Sequence, residues 1–376
     1  MPSTPAPLRI AAFGFRSLPP SEGGAGADKF ALELLPRLAA RGHSVIAYNR
    51  VYPGKSKPEG DVEFRGVKVR SFCTVAKAGF DSLLHSFKVA FDIIWNNTAD
   101  VVHIQNGGNS LVAPLLRLFG KRTYVSQDGL DWERGKWSWY AKFYLRLMAH
   151  FTARVHNQVI FDNVFARKYF EDRFKRRYEF VPFGADVHYA GEGDAVLGKL
   201  GLTPGDYLLF VGRFIPDKGL QYLIPAFERS TLEKKLVLVG GSPNPSAFEA
   251  GLRQTRDPRI LFPGYIYGAE THALMRNCFA YIQPSDVEGL SPVILESSFL
   301  GAPVICSDIE QNQYILGDTG LYFQKGDAAD AQRVLEEAVA YPEKLKARAA
   351  AQRERIVAQY SWDKVVDDHV SIFRES

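Results

Sequence analysis

The stretch FAYIQPSDVEGLSPVILESSFLGAPVICSD, residues 279–308, reads as one strand–helix–strand unit. FAYIQPS and APVICSD are short apolar runs of the kind that form buried strands. Between them, Ser291 followed by Pro292 fits a helix N-cap and first helical position, because proline's missing N–H is not needed there and its fixed φ suits a helix. A helix between two buried strands is the repeating unit of a parallel sheet. The helix also begins between two acids, Glu288 and Glu296. Side chains on a helix lean toward its N-terminus, so Glu296, in the second turn, can reach back toward the loop that carries Glu288, and both carboxylates can face one spot. The free N–H groups and dipole of a helix start attract anions, which two acids discourage. A ligand for this spot must reconcile the two.

The same alternation extends in both directions. YLLFVGR, KLVLVGG and RILFPGY precede the stretch as strands separated by helical segments. Earlier, RIAAFGF, SVIAYNR, DVVHIQN, RTYVSQD and NQVIFDN form a first series, with helical stretches such as DKFALELLPRLAARG and NSLVAPLLRLFG between them. Two doubly wound, Rossmann-like α/β domains in tandem are expected. The boundary is placed within VPFGADVHYAGEGDAV, a stretch rich in glycine and small residues. The expected domains are 1–186 and 187–360, with a terminal helix, 361–376, packing back on the first.

Composition agrees with a globular protein: 376 residues, 46% hydrophobic, is enough for two cores. The three cysteines, Cys73, Cys278 and Cys306, are odd in number and far apart, so neither a disulfide framework nor a zinc site is expected, and a reducing cytosol is. No basic segment followed by an apolar h-region opens the chain, and no eighteen apolar residues run uninterrupted; neither a signal peptide nor a membrane span is expected. Charge is uneven. Residues 1–186 hold 27 Lys+Arg against 17 Asp+Glu, a net charge of +10, and the remainder carries −6. A basic first half suits either a solvated basic face or contact with an anionic partner or membrane surface.

In doubly wound sheets, ligands sit outside the carboxyl ends of the strands. Three loops there stand out. The first holds Gly23 and Gly24 before a helix, where a backbone can approach a phosphate or sugar closely; without a G-x-G-x-x-G fingerprint it is a weak signal. In LLFVGRFIPDKGL, Arg213 and Lys218 flank a turn, two cations able to clamp a diphosphate without a metal, or to form a surface ion pair. The third is the loop of Glu288. Asp286-Val287-Glu288 also has the look of a D-x-D metal motif, and two glutamates can serve as acid and base of a glycoside hydrolase. The tandem-domain pattern argues against the first, and a hydrolase has no need for Arg213 and Lys218.

GRFIPDKG, the VGG after the next strand, PGY at 263–265 and PSDVEGLSPVILESSFLGAPVICSD together resemble the C-terminal signature of retaining glycosyltransferases of the GT-B fold, family four, and the glutamate pair resembles that family's E-x(7)-E motif. The early Gly-Gly loop, RGHSV, the VPFGADV hinge and the SWDKVVDDHV terminal segment match in kind and order. The resemblance implies two Rossmann-like domains facing a central cleft, the first for acceptor and the second for donor. The ligand it implies, a nucleotide sugar, offers diphosphate oxygens to N–H groups and cations, and hydroxyl donors to carboxylates. By this resemblance Glu296 holds the ribose hydroxyls and Glu288 a hydroxyl of the transferred sugar. Gly212, Tyr265, Gly289, Leu290 and Ser291 complete the donor site with Gly23 and Gly24. Arg213 and Lys218 stabilise charge on the leaving diphosphate. Retention through front-face departure needs no protein nucleophile, and neither metal nor other cofactor is expected.

The first half departs from the family pattern. Many relatives carry H-x-H where DVVHIQN ends its strand; this chain has His103, a candidate catalytic residue, but Gln105. The later HG-type motif is DG here. Asp128, Gly129 and Trp132, with the run that follows, resemble a bacterial rhamnosyltransferase subgroup of surface polysaccharide synthesis. That run is an amphipathic helix by pattern, and Trp137, Tyr140, Lys142, Tyr144 and Arg146 could rest on an anionic membrane near a lipid-linked acceptor.

The resulting expectation is a cytoplasmic, metal-independent, retaining hexosyltransferase acting from a nucleotide sugar on a glycan or glycolipid, with no nucleic-acid partner, peripheral at the inner face of the membrane. The hexose is open among rhamnose, mannose, glucose and N-acetylglucosamine. Two rival readings use the same donor site: a nucleotide-sugar epimerase and a non-catalytic nucleotide-sugar sensor. Transfer needs both substrates, epimerisation one, and a sensor binds without turnover.

Overall fold

The computed structural model describes residues 6–20, 26–77, 79–127, 129, 130, 132, 139–187, 190–242 and 246–375. The chain divides into two compact units, Met1–Phe183 with Trp362–Ser376, and Gly184–Ser361. They carry opposite charge. The first holds 29 lysines and arginines against 20 aspartates and glutamates, a net +9, and the second 17 against 22, a net −5.

The first unit is built on β1 (Arg9–Phe13), β2 (Ser44–Val51), β3 (Val62–Phe64), β4 (Val67–Cys73), β5 (Val101–Gln105), β6 (Arg122–Gln127), β7 (Gln158–Phe161) and β8 (Glu179–Phe180). Their order is β3-β4-β2-β1-β5-β6-β7-β8. Pairing is parallel except between β3 and β4. Strand β1 lies centrally, Ile10 facing both Val45 and Val101. Helices cover both of its faces, which is why β1 and β5 are near-continuous apolar runs rather than alternating ones.

The second unit has β9 (Tyr207–Arg213), β10 (Lys235–Gly241), β11 (Ile260–Gly264), β12 (Ala280–Gln283), β13 (Val304–Ser307) and β14 (Leu321–Phe323), all parallel. Their order is β11-β10-β9-β12-β13-β14. The chain moves outward one way from β9 and then restarts the other way at β12. In doubly wound sheets the crevice that takes ligands lies outside the carboxyl ends of such a pair of neighbours.

Strands β3, β4, β8 and β14 add to the ten that the apolar runs announce. VEFRGVKVRSFC forms a hairpin whose two-residue turn, Arg65 at φ 47° and Gly66 at φ 78°, has the positive angles that tight hairpins need. β8 and β14 are two and three residues long and carry too little periodicity to be seen in isolation.

The terminal helix Trp362–Arg374 closes the first unit. Trp362 packs against Phe30 and Phe183, with ring centroids 5.8 and 6.2 Å away, and Arg41 pairs with Asp363 and Asp367. His103 lies beneath it, wholly buried, its ring 5.5 Å from that of His369 and 5.4 Å from that of Phe373, with Nε2 2.8 Å from the Ser126 hydroxyl. This is a core imidazole. His103, the candidate catalytic residue of the sequence analysis, thus lies three residues into a five-residue strand with its side chain packed under a helix.

Burial holds four histidines of this unit, His85, His103, His156 and His369, below their ordinary pKa, His85 and His156 at about 3 and His369 at about 4. Each has one ring nitrogen near an oxygen and the other buried without a partner. Their folded pKa values lie below the unfolded value near 6.5, so the unfolded chain takes up protons first as pH falls. Stability is complete above about 6.5 and declines below it by on the order of 1 kcal/mol per pH unit for each histidine. Thermal denaturation should show a midpoint that drops steadily between about pH 6.5 and pH 4.5; a flat midpoint would contradict four neutral core imidazoles.

Candidate functional site

After β9 the chain makes a short turn, Pro216–Lys218, and enters the helix Leu220–Arg229 through Gly219. Gly219 has φ 72°, and a Cβ there would overlap the carbonyl of Pro284 in the loop after β12. Only glycine allows both the left-handed angle and the approach. The two loops are also tied by the Asp286 N–H, which donates to the Asp217 carbonyl at 2.9 Å. A similar closeness holds β9 to β10, where a Cβ on Gly240, at φ 130°, would overlap the carbonyl of Gly212.

This stitching brings Lys218 to Glu288. Its ammonium contacts Glu288 Oε1, and the same oxygen accepts from Gln283 Nε2 and, at 2.6 Å, from the Ser285 hydroxyl. Gln283 accepts in turn from the Tyr281 hydroxyl. Ser285 is held from behind, its carbonyl accepting from Ser307 Oγ at 2.6 Å, and the Ser307 carbonyl accepts from Asn312. Among the described residues the side-chain contacts of Glu288 thus converge on Oε1. The pair is shielded, Lys218 and Glu288 side chains being 19% and 9% exposed, so the charges attract more strongly than on an open surface.

The helix behind the loop is Pro292–Phe299. Ser291 is its N-cap, Oγ accepting from the Ile294 N–H at 3.4 Å, and Pro292 is its first residue. Leu290 and Ser291 are buried, Gly289 is partly exposed, and Glu296 is buried in the second turn with 3% of its surface exposed. Arg213, at the end of β9, projects into solvent and takes no part in the Glu288 cluster. Its charge reaches Tyr265. Tyr265 is half exposed and stacks on Tyr267 with centroids 5.9 Å apart and planes 4° from parallel. Asp286 turns away from Glu288: Tyr222 donates to its carboxyl, and burial raises its pKa. Among the described residues no three His, Cys, Asp or Glu side chains gather at one point.

Gln283 and Ser285 were not singled out by sequence reasoning. The available signal was polarity inside an apolar strand: Gln283 and Ser285 are buried where β12 meets the crevice, and buried polar side chains need partners.

In the first unit, Gly23, Gly24, Asp128 and Trp137 lie outside the described residues. Trp132 is buried, its ring 5.7 Å from Tyr169 and packed on Phe170, so it belongs to the core. Gln105 is 2% exposed at the carboxyl end of β5 and lines a small cavity with Ser126, Asp162 and Phe30.

Residues 205–340 match the family model described as Glycosyl transferases group 1, and residues 109–186 match a domain of unknown function, DUF1972. The chain is 27% identical over 188 residues to the O-antigen chain mannosyltransferase B of Escherichia coli, covering 48% of each. It is 26% identical over 201 residues to the alpha-maltose-1-phosphate synthase of Mycolicibacterium smegmatis, covering 49% of this chain and 52% of that one. The chain spans about half the length of the curated relatives it matches. Among solved structures, sucrose-phosphate synthase from Thermosynechococcus elongatus superposes with a TM-score of 0.79 at 21% identity, over 97% of this chain and 98% of that one. Anabaena HepE in complex with UDP and glucose gives 0.77 at 14% identity, with the same coverage. At these identities the structural likeness is one of fold. The fold is GT-B, and the match to the group 1 glycosyl transferase model falls within the second unit.

Gly219→Ala should lower the urea midpoint, at a cost of at least about 1–3 kcal/mol for a strained backbone position, and should weaken any ligand of the Glu288 cluster. An unchanged midpoint would show that the two loops do not depend on this approach.

Proposed function

We propose that this protein is a retaining, metal-independent hexosyltransferase that moves a hexose from a nucleoside-diphosphate sugar to a glycan or glycolipid acceptor in bacterial surface polysaccharide synthesis. The observation that carries the reading is the Lys218–Glu288 cluster at the crevice between β9 and β12, beside the capped start of the helix Pro292–Phe299. The group 1 domain coincides with this unit, and relatives bear the names of sugar transferases.

The cluster meets the requirements of such a donor. Its diphosphate presents anionic oxygens to the N–H groups at the helix start and to Lys218 and Arg213. Its hexose presents hydroxyls, for which Glu288, steadied by Gln283 and Ser285, is a fixed acceptor. Glu288 holds the Lys218 ammonium. On donor binding, phosphate oxygens replace the carboxylate on Lys218, and a sugar hydroxyl takes the vacated side of Glu288. Glu296 meets the ribose. As the glycosidic bond opens, charge grows on the departing phosphate, where a prepositioned cation is worth more than in the ground state. That phosphate takes the acceptor's proton on the same face, and the configuration is retained.

Lys218→Ala and Arg213→Ala should each reduce kcat by about tenfold to a thousandfold, the range for loss of a transition-state charge contact, whereas EDTA should leave the rate unchanged. Full activity in either variant removes that cation from the mechanism.

The two glutamates should separate by ligand. Glu296→Ala should weaken free nucleoside diphosphate by about ten- to a hundredfold, as for one charged hydrogen bond, and Glu288→Ala should spare that affinity while lowering transfer. Calorimetry with UDP, GDP and dTDP beside initial rates decides this. A reversed pattern swaps the two roles, and no change in either variant makes both acids structural.

A further inference from the structure

Ten of the nineteen large apolar side chains exposed among the described residues lie on three helices of the first unit, and an eleventh, Phe119, caps one of them. On the helix Phe80–Trp95, Phe80, Phe87, Phe91 and Trp95 recur at helical spacing and are all exposed, Trp95 to 90%. The opposite side of the same helix, His85, Val89, Ala90 and Ile93, is buried against the sheet. A helix apolar on both sides belongs inside a protein or against a partner. Leu118, 80% exposed, ends the next helix, Ala113–Leu118, and the exposed Phe119 caps it. Trp139, Tyr140, Phe143 and Leu147 form a further exposed stripe on the helix Trp139–Val155.

The three helices lie on one face of the sheet. They join β4 to β5, β5 to β6 and β6 to β7, crossovers that all advance in one direction along the strand order and are right-handed. Direct contacts agree. Ser82 donates to Asn109 at 2.8 Å, and Thr152 to Ser110 at 2.9 Å, so the first and third helices both pack on the turn Gly107–Val112. Lys121 reaches Asn97 just beyond the first helix, and Arg117 reaches the end of the third.

Charge decides what covers this face. The helix Trp139–Val155 contains Lys142, Arg146 and Arg154 and no acid, and Ala113–Leu118 has Arg117 and no acid. The two acids of Phe80–Trp95 are neutralised from the sheet side. Asp81 pairs with Arg50 and accepts from Tyr52, and Asp92 pairs with Arg70 and accepts from Tyr48. Lys88, Arg117 and Lys121 meet only neutral oxygens, and none of these three, nor Lys142 or Arg146, forms an ion pair among the described residues. Aromatic rings among unneutralised cations, on a unit of net charge +9, complement an apolar layer beneath anionic headgroups.

We propose that these three helices form a docking face for an anionic lipid bilayer, with Phe91, Trp95, Leu118 and Trp139 entering the interface and Lys142 and Arg146 meeting lipid phosphates. This deepens, and rests for its biological sense on, the glycolipid-acceptor part of the reading above. The whole protein should sediment with vesicles of phosphatidylcholine mixed with phosphatidylglycerol, not with phosphatidylcholine alone, and added salt should release it. The double variants Phe91→Glu/Trp95→Glu and Lys142→Glu/Arg146→Glu should each weaken sedimentation by at least about tenfold, with UDP affinity unchanged. Should the first variant fold poorly by circular dichroism, the second carries the test, since its positions lie at the surface. Equal sedimentation with both kinds of vesicle, none with either, or undiminished binding by the folded variants overturns the proposal. So does self-association by light scattering that the same variants abolish, which would assign the face to a second copy. Vesicle binding without nucleotide binding would instead defeat the transferase reading and leave the face standing.

Discussion

The site depends on a contact between two loops that leaves no room for a side chain. Gly219, at a left-handed angle, lies against the carbonyl of Pro284, and the backbone bond from Asp286 to Asp217 locks the turn after β9 to the loop after β12. Every later feature follows from that approach. Lys218 immediately precedes the glycine and is delivered to Glu288; Ser285 follows the proline and steadies the same carboxylate. A bulkier residue at 219 would move one loop off the other and separate the cation from its acid. Stability and chemistry therefore share one geometric requirement, imposed by the parallel neighbours β9 and β12.

The two units solve different electrostatic problems. The second holds a shielded cluster of opposite charges, Lys218 and Glu288, and under the proposed function the ammonium passes from the carboxylate to a phosphate and the carboxylate to a hydroxyl. The first keeps its four buried imidazoles neutral and pairs the acids of its outer helix with arginines on the sheet. That inward pairing leaves the outer surface cationic. The net charges of +9 and −5 are thus the sum of local arrangements with distinct physical causes.

Much of the fold was legible because it is encoded locally. Apolar runs of strand length mark β1, β5, β9, β10 and β12, and Ser291-Pro292 marks a helix start, since each signal occupies a few consecutive residues. The site was legible in part. Lys218 and Glu288 stood out by residue type and by family resemblance, while Gln283 and Ser285, which steady the same carboxylate, look like ordinary strand-end residues until their partners are known. His103 shows the opposite case. Its residue type suggested chemistry, but its surroundings are set by the terminal helix, more than two hundred and fifty residues away.

By itself, then, the sequence determined the α/β class, the tandem arrangement of two wound units, the helix caps and the family-like loop residues, because periodicity, proline and glycine act over one or two turns of chain. Tertiary structure alone decided which acid meets Lys218, seventy positions distant, that Trp132 and His103 are core, and that Phe91, Trp95 and Trp139 stay outside it. These outcomes turn on strand order and on which helix covers which face, and no local pattern reports what will lie across from a side chain once the sheet has closed around it.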